Sequence, residues 1–373
     1  MASVSRAALA LSLSATASLH SQGPEIPRVS NTGSDRPLPW VLVETFRIGP
    51  SDSGPSSFSQ VPSWAVSADH RGRLYVLDLL DPSVEVFDST GRWIRNMGRR
   101  GGGPGEMRRP VSLAAAAGGE IAVVDFGKGA LVRFDSVGEV VPQLSVPVQT
   151  VQVAIGEDRV ILALGPSPVT VSKLIQRHQG AEGVVATVDA IQSTLFSKCG
   201  IAVPAGPYFA PTIRWASTGR FTAVSSSSTY EVALYLHGRH HLTLTRSISP
   251  SRITRAAALA APEVQAGFTI RSERGECRLS PEELLAARGF HPTQAPVQAL
   301  RVTPHGEVWV RAQRTLGGPA QVDVFASDGR YIGTLSSGTP FPAAFLGPDL
   351  AVAVRADGEG VPYLVGYRID RRP

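Results

Sequence analysis

The chain has 373 residues, 43% hydrophobic and 18% charged, with 37 Gly, 29 Pro and a formal net charge of +5. This composition excludes a disordered chain, a fibrous repeat and a long helical bundle, and suits many short elements joined by turns. The positive excess is mild and is carried almost wholly by Arg, since Lys128, Lys173 and Lys198 are the only lysines; without a Lys/Arg-rich run interleaved with aromatics, nucleic acid is not an expected partner.

In chain order, Arg6 precedes an apolar stretch over 7–13 and then Ala15-Thr16-Ala17. A positive n-region, a short h-region and a small-x-small site together predict a signal peptide over 1–17, cleaved near Ala17. The stretch is too short and serine-rich to span hydrocarbon, and no other segment approaches a transmembrane helix. The first cysteine is Cys199, which excludes lipid attachment at an N-terminal cysteine. The mature protein is therefore expected to be extracytoplasmic, periplasmic or secreted. Residues 18–39 read as a linker.

The next segment repeats. Gly72-Arg-Leu74-Tyr-Val76-Leu-Asp78 and Val84-Glu-Val86-Phe87-Asp88-Ser-Thr-Gly91 recur 47 positions later as Gly119-Glu-Ile121-Ala-Val123-Val-Asp125 and Leu131-Val-Arg133-Phe134-Asp135-Ser-Val-Gly138. Alternating apolar positions separated by Gly or Asp-x-x-Gly turns predict a four-stranded antiparallel meander per unit. In the first unit the strands fall at 63–67, 73–78, 84–88 and 92–97. Such a unit is one propeller blade. Fainter copies supply blade three (151–164 and 183–196) and blade four (212–224, 230–236 and 241–248). Clear copies return in blade five, with Pro304-His-Gly306-Glu-Val-Trp309-Val and Val322-Asp-Val-Phe325-Ala-Ser-Asp-Gly329, and in blade six over 345–369. A strand over 40–48 can pair with the last blade and close the ring, removing free sheet edges. The fold class expected is all-β, a six-bladed β-propeller over 40–371.

The run Gly101-Gly-Gly103-Pro104-Gly105-Glu106-Met-Arg-Arg-Pro110, the Ile-x-Val-x-Asp strand and the Arg-Phe-Asp-x-x-Gly turn together resemble the NHL repeat. The resemblance covers roughly residues 60–145 and 295–370. It implies a bacterial extracytoplasmic six-bladed propeller, a fold that hosts both binding scaffolds and enzymes.

Residues 249–294 exceed what any blade needs, and predict a small helical cap inserted between blades four and five. Ser280, Pro281 and Glu283 form a capping-box start with Gly289 as a stop, and a second helix over 252–261 ends at Pro262. Blade geometry puts this insertion, the glycine-rich loop and the connection carrying Cys199 on one face. A disulfide between Cys199 and Cys277, tying cap to propeller, is expected there in an oxidising compartment, with two separate thiols as the alternative that sequence leaves open.

The glycine-rich loop lacks the Lys-Ser/Thr of a phosphate-binding loop and opens no helix, so it reads as an interblade turn. The ligand-binding candidates are the charged residues around it: Arg99, Arg100, Arg108, Arg109, Lys128 and Asp81. Arg92 and Arg95 extend that basic rim, where only Glu106 opposes. Asp78 and Asp125 recur in equivalent blades and read as structural hydrogen-bond acceptors. His240 and His241 would point to opposite faces of a strand, and His70 and His305 mark one repeated turn. No catalytic residue, metal site or cofactor is therefore assigned, although a divalent ion in the central channel stays open, since propeller ligands come one per blade. The expected function is a monomeric, non-catalytic binding or scaffold module for a protein, peptide or glycan on the capped face. The alternative is a hydrolase or lyase with its active site in the central channel.

Overall fold

The computed structural model describes residues 25–50, 57–156, 158–165, 172–188, 193–204, 206–272 and 275–371. The expected signal peptide and its cleavage site lie outside them. The protein is a six-bladed β-propeller of antiparallel four-stranded sheets. Blade one comprises Val66–Ala68, Leu74–Asp78, Ser83–Phe87 and Trp93–Met97, and blade two Pro110–Ala115, Ile121–Asp125, Ala130–Phe134 and Val140–Ser145. Blade five comprises Val297–Val302, Val308–Gln313, Ala320–Phe325 and Tyr331–Leu335. Blade six takes Ala344–Phe345, Leu350–Ala356 and Pro362–Asp370 from the C-terminal end and Val41–Ile48 from the N-terminal end. Val41 opposes Asp370 and Ile48 opposes Leu364 across that closing pair.

The repeated motif explains the local geometry. The Asp88 carboxylate accepts from the Thr90 and Arg92 amides, and Asp135 does the same for Val137 and Glu139. Each side chain thus holds the turn that follows it. Gly91 closes the first of these turns at φ +81°, and a Cβ there would meet Phe46 of the closing strand at 2.6 Å. Asp78 and Asp125 end the second strands and clamp the connection entering their blade. Asp78 accepts from the amides of Ser59, Gln60, Leu80 and Asp81, and Asp125 from those of Arg108, Arg109 and Gly127.

The alternate apolar residues form one hydrophobic cluster at every blade seam rather than a single central core. Val76, Phe87 and Leu364 pack between blades six and one, and Val123, Phe134 and Met107 between one and two. Between three and four the buried set is smaller, comprising Ala154, Ile161, Leu174 and Val224.

Three details differ from the sequence reading. Blade three uses Thr150–Ile155, Arg159–Leu164, Ser172–His178 and Ala181–Val188, so its outer strand ends before residue 196. Ser193–Phe196 instead pairs with Ile201–Pro204 as a separate hairpin. Blade four (Arg214–Ser217, Phe221–Ser225, Glu231–Leu236 and Arg239–Arg246) gains a fifth strand, because Arg28–Asn31 pairs in parallel with its outer strand. The segment read as a linker is in part a strap. Asn31 bonds to Gly329 and Tyr331 of blade five, and residues 36–38 exchange backbone hydrogen bonds with Thr334 before the chain enters the closing strand. Besides the backbone ladder, Val29 packs against the core of blades four and five and Arg28 pairs with Glu231, so the strap covers the outer edge of blade four.

Among its described residues the cap holds three helices, α1 (Arg255–Ala260), α2 (Pro262–Gln265) and α3 (Pro281–Arg288). Ser280 and Glu283 exchange both bonds of a capping box, with Gly289 past the end. The cap is not helical alone: Phe268–Ser272 pairs with Gly275–Leu279, and the hairpin of 193–204 joins the same core. Phe196, Tyr208, Val264, Leu279, Leu284 and Leu285 are buried together in it.

Candidate functional site

The structure gathers several of the sequence candidates about the glycine-rich loop, where their described contacts are internal. Arg99 pairs with Glu106, Arg100 donates to the Leu80 carbonyl, and Lys128 Nζ donates to the Gly103 carbonyl at 2.7 Å. Glu106 accepts from the Gly103 amide, and that bond followed by the Arg99 pair holds its carboxyl below the usual range. The Arg108 and Arg109 amides are clamped by Asp125, and the Arg109 guanidinium lies 4.8 Å from the Phe126 ring centre. The Asp81 amide donates to Asp78 while its carbonyl accepts from Ser83. The rim therefore builds its own loop. It belongs to blades one and two, whereas the cap rises from the connections between blades three, four and five.

Cys199 and Cys277 are bonded, with Cα atoms 5.8 Å apart. Cys199 follows the 193–204 hairpin's first strand and Cys277 lies in the second cap hairpin, so the bridge joins two halves of the cap to each other. Lys198 and Glu283 pair alongside it, and Arg288 donates to the Gly206 carbonyl while stacking 3.8 Å from the Tyr208 ring centre. The cap rests on blade five through Ser251, which donates to the Arg314 carbonyl, and through Leu316.

A cavity of about 420 Å³ runs along the propeller axis. All six blades line it through their first strands and the segments next to them, blade five adding Arg311 from its second strand, and no described cap residue does. Small residues such as Ser67, Ala68, Ala154, Ala216 and Ala299 keep it open, and Trp64, half exposed, Trp215 and Phe341 supply aromatic surface. Gln152 fixes the Trp215 ring by accepting from its Nε1 at 3.0 Å.

Three arginines stand in this wall: Arg214 on the first strand of blade four, and Arg301 and Arg311 on the first and second strands of blade five. Arg301 Nε donates to the Ala343 carbonyl at 2.9 Å, Nη1 to the Leu300 carbonyl at 2.8 Å and Nη2 to the Ser63 carbonyl at 3.4 Å. It thereby spans blades five, six and one. All three acceptors are neutral, and burial without an opposing charge pulls its pKa down to about 10, which leaves it charged at neutral pH. Arg214 is reached by water yet ringed by protein, and desolvation lowers its pKa as well. Neither Arg214 nor Arg311 has a hydrogen-bond or ion-pair partner among the described residues. The one carboxylate among the described residues of the wall, Asp69, has a fully buried side chain that serves the amides of Arg71 and Arg73, the Arg73 guanidinium and the Tyr75 hydroxyl. His70 stands at the adjoining turn. Among the described residues no group of three His, Cys, Asp or Glu side chains is placed to hold a metal ion. The sequence reading missed these arginines, whose only signal was a single Arg within each of three otherwise uncharged strands.

The profile of a family described as a 6-bladed beta-propeller matches residues 66–162. No curated protein matches the chain. Among solved structures, a putative exported protein from Bacteroides fragilis superposes with a TM-score of 0.53 at 11% identity, covering 92% of this chain and 99% of that one. A member of the DUF4221 family from Bacteroides vulgatus gives 0.54 at 10% identity, over 89% and 99%. At such identities these likenesses concern the fold, and by fold and profile alike this chain is a six-bladed β-propeller.

Proposed function

We propose that the protein is an extracytoplasmic binding module that takes a small ligand, or the end of a peptide or glycan, into its central channel without converting it. The observation that carries this reading is the axial cavity itself, floored by small side chains and furnished with aromatic faces and unspent guanidinium donors, the usual equipment of a recognition site. The apolar stretch before Ala17 and the Cys199–Cys277 bond, which persists in an oxidising compartment, support the location.

The test is a thermal-shift and tryptophan-fluorescence screen of sugars, short peptides and organic acids against the exported protein, whose N-terminus is expected at Ser18. Saturable binding that is lost in Ala299→Trp, a substitution that fills the cavity, is the expected result. Ligands that bind Ala299→Trp equally well place recognition outside the channel and overturn the reading. Chemical conversion of a bound ligand, seen by mass spectrometry, instead makes the channel an active site.

A further inference from the structure

Building on the channel as the binding site, we propose that its ligand is an organic carboxylate, with the carboxylate group held by Arg214, Arg301 and Arg311. The argument is one of charge and donor accounting. A guanidinium carries five N–H donors, and Arg301 spends three of them on carbonyls of blades five, six and one. Two therefore remain on a cation that nothing in the wall neutralises. Arg214 and Arg311 bring whole donor sets into the same wall, from the first strand of blade four and the second strand of blade five. Asp69, the only carboxylate of the described wall, is already committed to Arg73. For Arg301, uncompensated charge withdrawn from bulk water is costly; an anion entering the channel offsets that cost and gains charge-assisted, bidentate hydrogen bonds from the water-exposed Arg214 and Arg311. The remaining wall is mostly small, aliphatic and aromatic surface, which suits an organic body better than a bare inorganic ion. Trp64 offers a half-exposed face on which a sugar ring or apolar group can lie.

The experiment compares carboxylates with their uncharged amides: phenylacetate against phenylacetamide, glucuronate against glucuronamide, and N-acetyl-dialanine against its C-terminal amide. Each is titrated by tryptophan fluorescence into the mature protein, into Arg214→Gln and Arg311→Gln, and into Ala299→Trp. Neither arginine holds another described residue, so both Gln variants should melt like the parent. At least one acid is expected to bind more tightly than its amide, and each Gln variant should weaken that acid about tenfold while leaving the amide unchanged. Arg214→Lys, which restores a point charge without the planar fork, should recover part of the loss. Equal binding of acids and amides, still abolished by Ala299→Trp, overturns the carboxylate while leaving the channel as the binding site. A panel in which no acid binds more tightly than its amide overturns the proposal.

Discussion

At the residue scale the most consequential polar group is Asp323, on the third strand of blade five, whose side chain is wholly buried. It accepts from the Tyr230 hydroxyl at 2.6 Å, from Arg314 at 2.8 Å and from the Thr334 hydroxyl at 2.5 Å, and faces Arg246 at 3.2 Å. Burial, and then the neighbouring carboxylate, push the Tyr230 phenol well above its ordinary range. Asp35 of the strap completes the cluster by pairing with both Arg246 and Arg314. Asp323→Ala leaves two guanidiniums and a phenol without their shared acceptor, and is expected to cost about 3–5 kcal/mol by chemical denaturation; a loss below 1 kcal/mol would show that water replaces the carboxylate. Nothing in the run Ala320–Phe325 distinguishes this Asp from a turn residue, because its partners come from elsewhere in the chain, Tyr230 and Arg246 of blade four and Arg314 and Thr334 of blade five. The turn aspartates, by contrast, were legible because each acts within five residues of itself.

At the element scale the cap is two connections made into one body. Both its hairpins, its three helices and the Tyr208 to Phe290 bridge draw on the connections of 193–211 and 249–294. The Ser280-Pro281-Glu283 start is readable because a capping box is local, whereas Ser193–Phe196 reads as the end of blade three because a short strand carries no mark of the sheet it joins. Blade three's Ser172–His178 was hidden for a related reason: Lys173, Gln176, Arg177 and His178 crowd a strand with Leu174 and Ile175 as its buried core residues. Cys199→Ser with Cys277→Ser is expected to destabilise the cap by about 2–4 kcal/mol. Hydrogen exchange should show the loss in residues 193–204 and 268–288, with blades one and two unchanged. Protection lost evenly around the ring would mean that cap and propeller unfold as one unit.

At the scale of the whole molecule, the 47-residue period revealed the ring because neighbouring blades repeat one hydrogen-bonding device. The residues of the channel wall were not legible because each blade supplies only a few of them, and its arginines are separated by 87 positions from Arg214 to Arg301. Two deletions separate the roles of the N-terminal segments. A chain beginning at Trp40 loses the strap, bares the outer edges of blades four and five, and should melt lower while remaining monomeric. A chain beginning at Gly49 also loses the closing strand and should aggregate through the exposed edge of blade six. Light scattering and thermal melts decide this, and a Gly49 form that melts like the parent would overturn the closure.

The strap and the closing strand also set an order of assembly. Arg28 pairs with Thr243 and Val41 with Asp370, so the earliest described segments of the chain have partners more than 200 residues downstream. A polypeptide threaded through a membrane from its N-terminal end would deliver these strands first and hold them idle until the last blade had followed. Across such a journey the ring stays open, and its clasp becomes available only when residues 362–370 arrive. Contact order makes the pairing of Val41–Ile48 with Pro362–Asp370 an expected slow step of folding.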